Sequence, residues 1–341
     1  MSVDHKMPVF IVGGFLGAGK TSLLQRILRS KEHGYRFAVI VNEFADVGID
    51  GDLVKDVDGV PTVEMTNGCA CCTLIGDLET TLRNWAGRND IDGVIIETTG
   101  LADPGQMAHL FMAAGPVRDS FALQRIIVVV DAKNHALQAA EGPLWMAQVV
   151  VGHVVVINKV DLATPIEVSA LRQLIDQQNP LATVHETSQA QVDLGLILNQ
   201  DDSLVVNADT HRHDHHDHAS CDHVHGHCEH DHHEHHHDST APYASVCLDE
   251  LGEVDPDRFN NWFGGILATV GTQLARTKGI LSLPGRDTQV VVQSVYEQTT
   301  VQNGSPWPEG IRRNKMVIIG RREVIDADSM AAGFRSCLIE A

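Results

Sequence analysis

Apolar residues along the first two hundred positions fall into five short, uninterrupted runs rather than into an alternating pattern. The runs occupy residues 8–12, 37–41, 93–97, 125–131 and 153–158. Stretches with helical periodicity separate them, at residues 20–30, 74–86 and 166–178. Continuously apolar strands are typical of a parallel sheet that helices cover on both faces. The pattern therefore predicts an α/β fold with a doubly wound, mainly parallel sheet.

The apolar pattern stops at residues 211–238, which contain 14 histidines among Asp and Glu residues. Such a composition cannot bury enough surface to fold by itself, and it predicts a mobile, metal-binding linker. The pattern then resumes, with strands expected at 245–248, 288–296 and 315–320 and helices at 256–274 and 329–338. We expect an α/β domain over residues 1–205, the linker over 206–241, and a smaller α+β domain over 242–341.

The chain of 341 residues is acidic, with a formal net charge of −20 when histidine is neutral. Because nucleic-acid binding needs a basic face, we expect no nucleic-acid partner. We also expect no contact with a membrane, since no run of about 18 apolar residues occurs. The first residues lack the basic start and apolar run of a secretory signal, which predicts a cytoplasmic location.

Residues 14–21 match the P-loop pattern GxxxxGK[ST], between the first apolar run and the first helical stretch. In such a loop the backbone N–H groups surround the phosphates, and the helix N-terminus favours their negative charge. Lys20 is predicted to neutralise the β- and γ-phosphates, and the Thr21 hydroxyl to bind Mg²⁺. A P-loop NTPase fold follows, with nucleotide-binding residues Gly14, Gly17, Ala18, Gly19, Lys20 and Thr21.

Asn158, Lys159 and Asp161 form an NKxD element directly after the fifth apolar run. In P-loop GTPases such an element at a strand end reads the base. The Asp161 carboxylate is predicted to accept hydrogen bonds from N1 and N2 of guanine, donors that adenine does not present in that arrangement. The three residues are therefore predicted to bind the nucleotide and to select GTP.

Glu97 ends the third apolar run, and Gly100 follows it three positions later. An apolar strand that ends in an acid suits a Walker-B role, with Glu97 near Mg²⁺ or the attacking water. Gly100 is then placed to sense the γ-phosphate. The predicted catalytic residues are Lys20, Thr21 and Glu97.

Cys69, Cys71 and Cys72 pack three thiols into four positions. Thiolates bind soft cations such as Zn²⁺ or Cu(I), and three of them leave one tetrahedral position open, which favours transfer of the metal. The cluster lies between the P-loop and Glu97, where switch elements of such GTPases lie. Buried or redox-active thiols stay an alternative. The histidines of the linker suit Zn, Co, Ni or Cu and are predicted to store metal.

Together these elements resemble the CobW-type metallochaperone GTPases, relatives of the urease and hydrogenase maturation GTPases. The matching segments are residues 13–21, 41–44, 67–72, 97–104, 158–161, 276–281 and 292–295. The resemblance implies a GTPase that binds zinc or cobalt through Cys69, Cys71 and Cys72 and passes it to a client metalloprotein. It also implies that nucleotide state and metal binding are coupled. Some members carry a metal-binding acid where this chain has Val41, so the fourth ligand is left open.

Two other functions stay open at this point. The chain could be an assembly GTPase for one cobalt pathway, such as cobalamin synthesis or nitrile hydratase maturation, because nitrogen and sulfur ligands serve cobalt and zinc alike. It could also be a passive metal buffer, although the intact P-loop and NKxD element argue against that. The expected partners are GTP and the client protein, with a nucleotide- or metal-dependent homodimer as a further option.

Overall fold

The computed structural model describes residues 6–43, 60–66, 71–199, 241–308, 310 and 312–339. The predicted linker over 206–241 lies outside the described residues, apart from its last position. Cys69 also lies outside them, and Cys71 and Cys72 are described only as the first two residues of a helix. The metal-binding role of these segments therefore stays a prediction.

Within the described residues, seven strands form a sheet in which every pair of neighbours is parallel. The order across the sheet is β3-β2-β4-β1-β5-β6-β7. The strands are β1 (Met7–Gly14), β2 (Phe37–Glu43), β3 (Thr62–Thr66), β4 (Gly93–Glu97), β5 (Phe121–Asp131), β6 (Val154–Asn158) and β7 (Thr183–Glu186). The predicted α/β fold is confirmed. The edge strands β3 and β7 were not predicted, because they are short and only partly buried and so lack a continuous apolar run.

Helices cover both faces of this sheet, because alternate residues of the five inner strands enter different apolar cores. Val9 packs in one core with α2, α3, α6 and α7, and Phe10 packs in the other with α1 and α8. The helices are α1 (Lys20–Arg29), α2 (Cys71–Trp85), α3 (Pro104–Met112), α4 (Pro116–Ser120), α5 (His135–Ala140), α6 (Leu144–Val151), α7 (Pro165–Gln178) and α8 (Leu194–Leu198). The three helices predicted here occur as α1, α2 and α7.

The C-terminal domain is built on a five-stranded antiparallel sheet of order β11-β10-β9-β12-β8. Its strands are β8 (Tyr243–Leu251), β9 (Leu274–Leu281), β10 (Thr288–Val295), β11 (Gln298–Pro306) and β12 (Arg313–Arg321). Two helices, α9 (Pro256–Val270) and α10 (Ala327–Ser336), cover one face and bury Phe259, Phe263 and Phe334 against the sheet. The predicted α+β character of this part is confirmed.

The helix predicted over 256–274 is wrong at its C-terminal end. α9 ends at Val270, a short 3₁₀ turn follows, and Leu274 already begins β9. Leu274 fits the helical pattern of apolar residues because it is buried in the same core as α9, but it lies on the sheet side of that core. β9 and β11 were not predicted. β9 carries Arg276 and Gly279 in its middle, and β11 is a largely polar edge strand.

The other face of the C-terminal sheet packs against α3, α6 and α7, so the two sheets share one apolar core. Val295 and Ile319 belong to that core. The Arg276 guanidinium donates to Gly152 O at 2.7 Å, and Tyr243 N donates to Gln178 Oε1 at 3.3 Å. Within the described residues, no helix combines the length and apolarity that crossing a bilayer requires.

Candidate nucleotide site

The P-loop connects the carboxyl end of β1 to the first turn of α1. Gly19 precedes the helix with a left-handed φ of 106°, and an added Cβ there would lie 2.4 Å from Asn158 Nδ2, so only glycine fits. Side chains cap the N-termini of α3, α7, α8, α9 and α10, whereas α1, like α4, α5 and α6, has no side-chain cap. The first N–H groups of α1 therefore suit a phosphate, as the P-loop pattern predicts.

The Lys20 side chain lies inside the P-loop. It is only 8% exposed, and its Nζ donates to Phe15 O at 3.2 Å. The loop itself closes through Ala18 N, which donates to the same carbonyl at 3.2 Å. Gly14 precedes this turn with a φ of 133°, and Gly17 lies within it with a φ of 71°. The ammonium group is thus held against the backbone of the P-loop.

Thr21 and Glu97 meet at the carboxyl edge of the parallel sheet. The Thr21 hydroxyl donates to Glu97 Oε1 at 2.8 Å. Glu97 is 3% exposed and lies beside Val12, because β4 pairs with β1 in parallel register. A hydroxyl and a carboxylate in contact are oxygen donors of the kind that Mg²⁺ prefers. The side chains present therefore fit the ion that the sequence predicts.

The switch loop, defined here as residues 98–103, follows β4 and packs against the P-loop. A Cβ added at Gly100 would lie 2.6 Å from Leu16 N, so the loop can approach the P-loop this closely only with glycine. The buried Gln148 on α6 holds the loop by donating to Gly100 O at 3.1 Å and to Ala102 O at 2.8 Å. No sequence pattern predicts this role for Gln148, since it lies almost fifty positions away in an apolar helix without a recognised motif.

Asn158 serves the site in a way the NKxD pattern does not reveal. Its Nδ2 donates to Ala18 O at 3.0 Å, and its Oδ1 accepts from Ala190 N at 2.9 Å. The side chain is 2% exposed, so it joins the P-loop to the loop at residues 187–190 rather than facing a base. The predicted role of Asn158 in nucleotide binding stays a prediction. Gln189 and Ala190 in that loop have left-handed φ values of 51° and 56°, which no sequence pattern indicated.

Lys159 lies across the P-loop from the other side. Its Nζ donates to Gly17 O at 2.6 Å and to the buried Asp131 Oδ2 at 2.8 Å. Burial alone would raise the pKa of Asp131, but hydrogen bonds from Lys159 and Asn134 outweigh it and the pKa lies below its usual value. Asp161 lies exposed in the turn after β6, accessible to a base.

Two family profiles match the chain over most of its length. The profile described as the CobW/HypB/UreG nucleotide-binding domain matches residues 8–186, and the profile of the cobalamin synthesis protein CobW C-terminal domain matches residues 243–338. The chain belongs to the CobW/HypB/UreG family. The P-loop, the switch loop and the Asn158–Lys159 element all lie inside the first match.

Curated relatives of this CobW-type chain align over nearly their whole lengths. The zinc chaperone YjiA of Escherichia coli is 28% identical over 325 residues, which cover 93% of this chain and 94% of that protein. The zinc chaperone CobW of Pseudomonas aeruginosa is 31% identical, with 99% of this chain and 93% of that protein covered. A crystal structure of Zn(II)-bound YjiA GTPase from E. coli superposes with a TM-score of 0.69 at 22% identity, covering 98% and 100% of the two chains, and it shows the same fold.

The predicted metal ligands of this CobW-type chain fall largely outside the described part. Among the described residues, no group of three or more His, Cys, Asp or Glu side chains could hold a metal ion. Val41, at the position where some family members have an acid, is 1% exposed in β2 and offers no donor atom. Of the other thiols, Cys247 is exposed and Cys337 is buried.

Proposed function

We propose that this protein carries zinc on Cys69, Cys71 and Cys72 and releases it to a client metalloprotein under the control of GTP. Its family makes the chain a GTPase of the metallochaperone class. The zinc chaperones among its relatives support zinc as the cargo, ahead of cobalt. Three thiolates and an open fourth position suit a cargo metal that must leave again.

The observation that carries this proposal is the path from the cysteines to the nucleotide site. β3 is parallel to β2 and β4, so the chain leaves it at the same sheet edge as Glu97. Cys71 then begins α2, whose Leu78 and Leu82 share a core with Phe111 of α3. Since α3 directly follows the switch loop, metal and phosphate would act on the same pair of packed helices.

We assign the steps of hydrolysis to residues at the carboxyl edge of the sheet. Lys20 neutralises charge on the β- and γ-phosphates, and the N–H groups of the loop hold them. Thr21 and Glu97 hold Mg²⁺, which when bound supplies positive charge against the phosphate oxygens. Gly100 senses the γ-phosphate through its close approach to Leu16 in the P-loop. Asp161 contacts the guanine edge.

Coupling between nucleotide and zinc tests the proposal. Zinc affinity should be measured by competition with a chromophoric chelator in three states of the full chain: without nucleotide, with GDP, and with a non-hydrolysable GTP analogue. We expect the two nucleotide states to differ by roughly 5- to 150-fold, the usual range for coupled sites. By linkage, zinc must change the ratio of the affinities for the analogue and for GDP by the same factor.

Two serine variants identify the site. Cys71→Ser should remove the tight zinc site, whereas Cys247→Ser, the same change at an exposed thiol of the C-terminal domain, should keep it. Equal zinc affinity in all three nucleotide states would leave a GTPase and a metal site without a switch. Tighter binding of cobalt than of zinc under the same nucleotide control would favour the cobalt-assembly alternative.

Dimerisation in response to nucleotide or metal belongs to the same proposal. Leu16, Leu101 and Leu137 are 54%, 47% and 71% exposed around the P-loop. Gly100 and Gln138, the neighbours of Leu101 and Leu137, both contact Leu16, so the three apolar side chains border one surface. Sedimentation with GDP and with the GTP analogue measures whether this surface pairs two copies.

A further inference from the structure

The switch loop is tied to the C-terminal domain by one hydrogen bond between side chains. The Tyr296 hydroxyl donates to Asp103 Oδ2 across 193 positions of sequence. The other carboxylate oxygen of Asp103 accepts from Gly105 N at 2.8 Å and so caps α3. Asp103 therefore accepts a hydrogen bond from the start of α3 through one oxygen and from the C-terminal domain through the other.

Tyr296 occupies a backbone position that a tyrosine seldom takes. It lies in the two-residue turn between β10 and β11, with a left-handed φ of 53°. Glycine or asparagine is the usual residue at such a turn position, and a bulky side chain there persists when its surroundings demand it. Here the ring lies against Gly105, where an added Cβ would be 2.7 Å from Tyr296 Cε2. The turn thus accepts an unfavoured conformation while its side chain reaches the other domain.

A second contact in the same turn holds it against α3. Glu297 Oε1 lies 3.6 Å from His109 Nδ1, and the rings of His109 and Tyr296 are 5.9 Å apart. At its other end the switch loop is fixed by Gln148 and by the approach of Gly100 to Leu16. The loop is therefore held between the P-loop and the C-terminal domain.

We propose that Tyr296, a residue of the C-terminal domain, is a positioning residue for GTP hydrolysis that fixes the switch loop through Asp103. This inference rests on the proposed phosphate site at the P-loop. A shift of the β10–β11 turn would release Asp103 and with it the segment that presents Gly100 to the phosphates. The C-terminal domain then controls the rate of hydrolysis without touching the nucleotide.

Tyr296→Phe in the full-length protein removes the hydroxyl and keeps the ring. Steady-state GTP hydrolysis with Mg²⁺ should show kcat reduced by roughly 3- to 10-fold, the loss expected for one buried hydrogen bond. KM for GTP should stay near the wild-type value, because the bond acts on the switch loop and not on the bound base. Amide hydrogen exchange over residues 99–107 should become faster at the same time.

Tyr243→Phe is the matched control, because Tyr243 lines the same cleft between the domains and stacks under Arg321 at 5.0 Å. It should keep the wild-type kcat and exchange rates. The Cβ of Gly105→Ala would crowd both the Tyr296 ring and Asp103 Oδ1. The variant thus disturbs the same contact from α3 and should repeat the kcat loss while the tyrosine hydroxyl stays in the chain. It provides the test if Tyr296→Phe does not fold.

Three outcomes are separable. Lys20→Ala measured alongside reports on the phosphate site itself, and full activity in that variant would overturn the site assignment. If Lys20→Ala is inactive while Tyr296→Phe and Gly105→Ala keep the wild-type kcat, only the role of Tyr296 is wrong. Equal losses in Tyr243→Phe and Tyr296→Phe would mean a general weakening of the domain contact, which also overturns the inference.

Discussion

The two edges of the parallel sheet hold different kinds of polar side chain. At the carboxyl edge, Lys20, Glu97 and Asp131 bring both signs of charge together. Lys20 donates to Phe15 O, Glu97 accepts from Thr21, and Asp131 accepts from Lys159. The polar side chains around Gly152, at the amino end of β6, are basic or neutral: Arg276, His153 and Asn179. Arg276 donates to Gly152 O, and His153 accepts from Ile126 N at 3.1 Å.

This difference suits the carboxyl edge to ligand binding and the amino edge to holding the C-terminal domain. Donors and acceptors in side chains and loops can exchange partners when a charged ligand enters, so the carboxyl edge can bind phosphate and Mg²⁺. At the amino edge, by contrast, Arg276 is fixed to a backbone carbonyl, and burial lowers its pKa to about 9. That arrangement holds the C-terminal domain in place. Variants at the two edges should therefore change different properties.

The largest effect is expected from Lys20→Ala at the carboxyl edge. Loss of the ammonium group should reduce kcat for GTP roughly 100-fold or more, the scale seen when one transition-state donor is removed. Stability should change little, since the loop keeps its backbone closure. GTP hydrolysis and urea unfolding on the same preparations measure both properties.

Lys31→Ala is the control for this prediction, because Lys31 is an exposed lysine just past the end of α1. It should match the wild type in both assays. A Lys20→Ala protein that hydrolyses GTP at the wild-type rate would show that the phosphates bind elsewhere. The carboxyl edge would then not be the phosphate site.

Arg276→Ala tests the amino edge. It should lower stability and change GTP hydrolysis little, the reverse of Lys20→Ala. The change removes one of the two donors to Gly152 O, the other being Asn179 Nδ2 at 2.9 Å, and opens a cavity between the domains. It should lower the free energy of unfolding by about 2–3 kcal/mol. GTP turnover per folded molecule should change far less than in Lys20→Ala. Urea denaturation followed by circular dichroism gives the first quantity, and activity normalised to folded protein gives the second.

Arg258→Ala provides the matched arginine control, since its side chain is 58% exposed on α9. A change within about 0.5 kcal/mol is expected for a surface position. Arg276→Met retains volume without the charge and should lose less stability than Arg276→Ala. A large loss of kcat in Arg276→Ala with unchanged stability would contradict the assignment of stability to the amino edge and catalysis to the carboxyl edge.

Local motifs made much of the carboxyl edge predictable from the sequence. The P-loop, Glu97 and the NKxD element each lie within a few residues at the end of a buried strand, where periodicity and motif agree. The contacts of Gln148 and Tyr296 were not predicted, because their partners lie 46 to 193 positions away and no local pattern indicates such a contact. β11 escaped for a related reason: its Gln-Thr-Thr-Val-Gln-Asn sequence pairs only along one edge and lacks an apolar alternation. The roles of Cys69, Cys71 and Cys72 stay predictions.

The smallest expected effect concerns His153 at the amino edge and appears only as a pH dependence. Burial, followed by the charges on Arg276, Arg125 and Lys278, holds the pKa of His153 well below its usual value of 6.5. The unfolded chain takes up a proton as the pH falls through about 6.5, whereas the folded chain does not. The free energy of unfolding therefore falls as the pH decreases below about 6.5. His153 contributes up to about 1.4 kcal/mol per pH unit to that fall.

His153→Asn isolates that contribution, since its side-chain oxygen can still accept from Ile126 N but does not titrate. The free energy of unfolding should be measured for both proteins from pH 7.5 to 5.5 in a chelator, so that metal binding does not add its own pH dependence. Near pH 7.5 the difference between the two proteins should hardly change with pH, because the imidazole is almost fully neutral in both states. Below about pH 6.5 the wild type should lose stability faster than the variant. Parallel curves over the whole range would mean that His153 gains a proton in the folded protein as easily as in the unfolded chain, and that the amino edge admits a further charge.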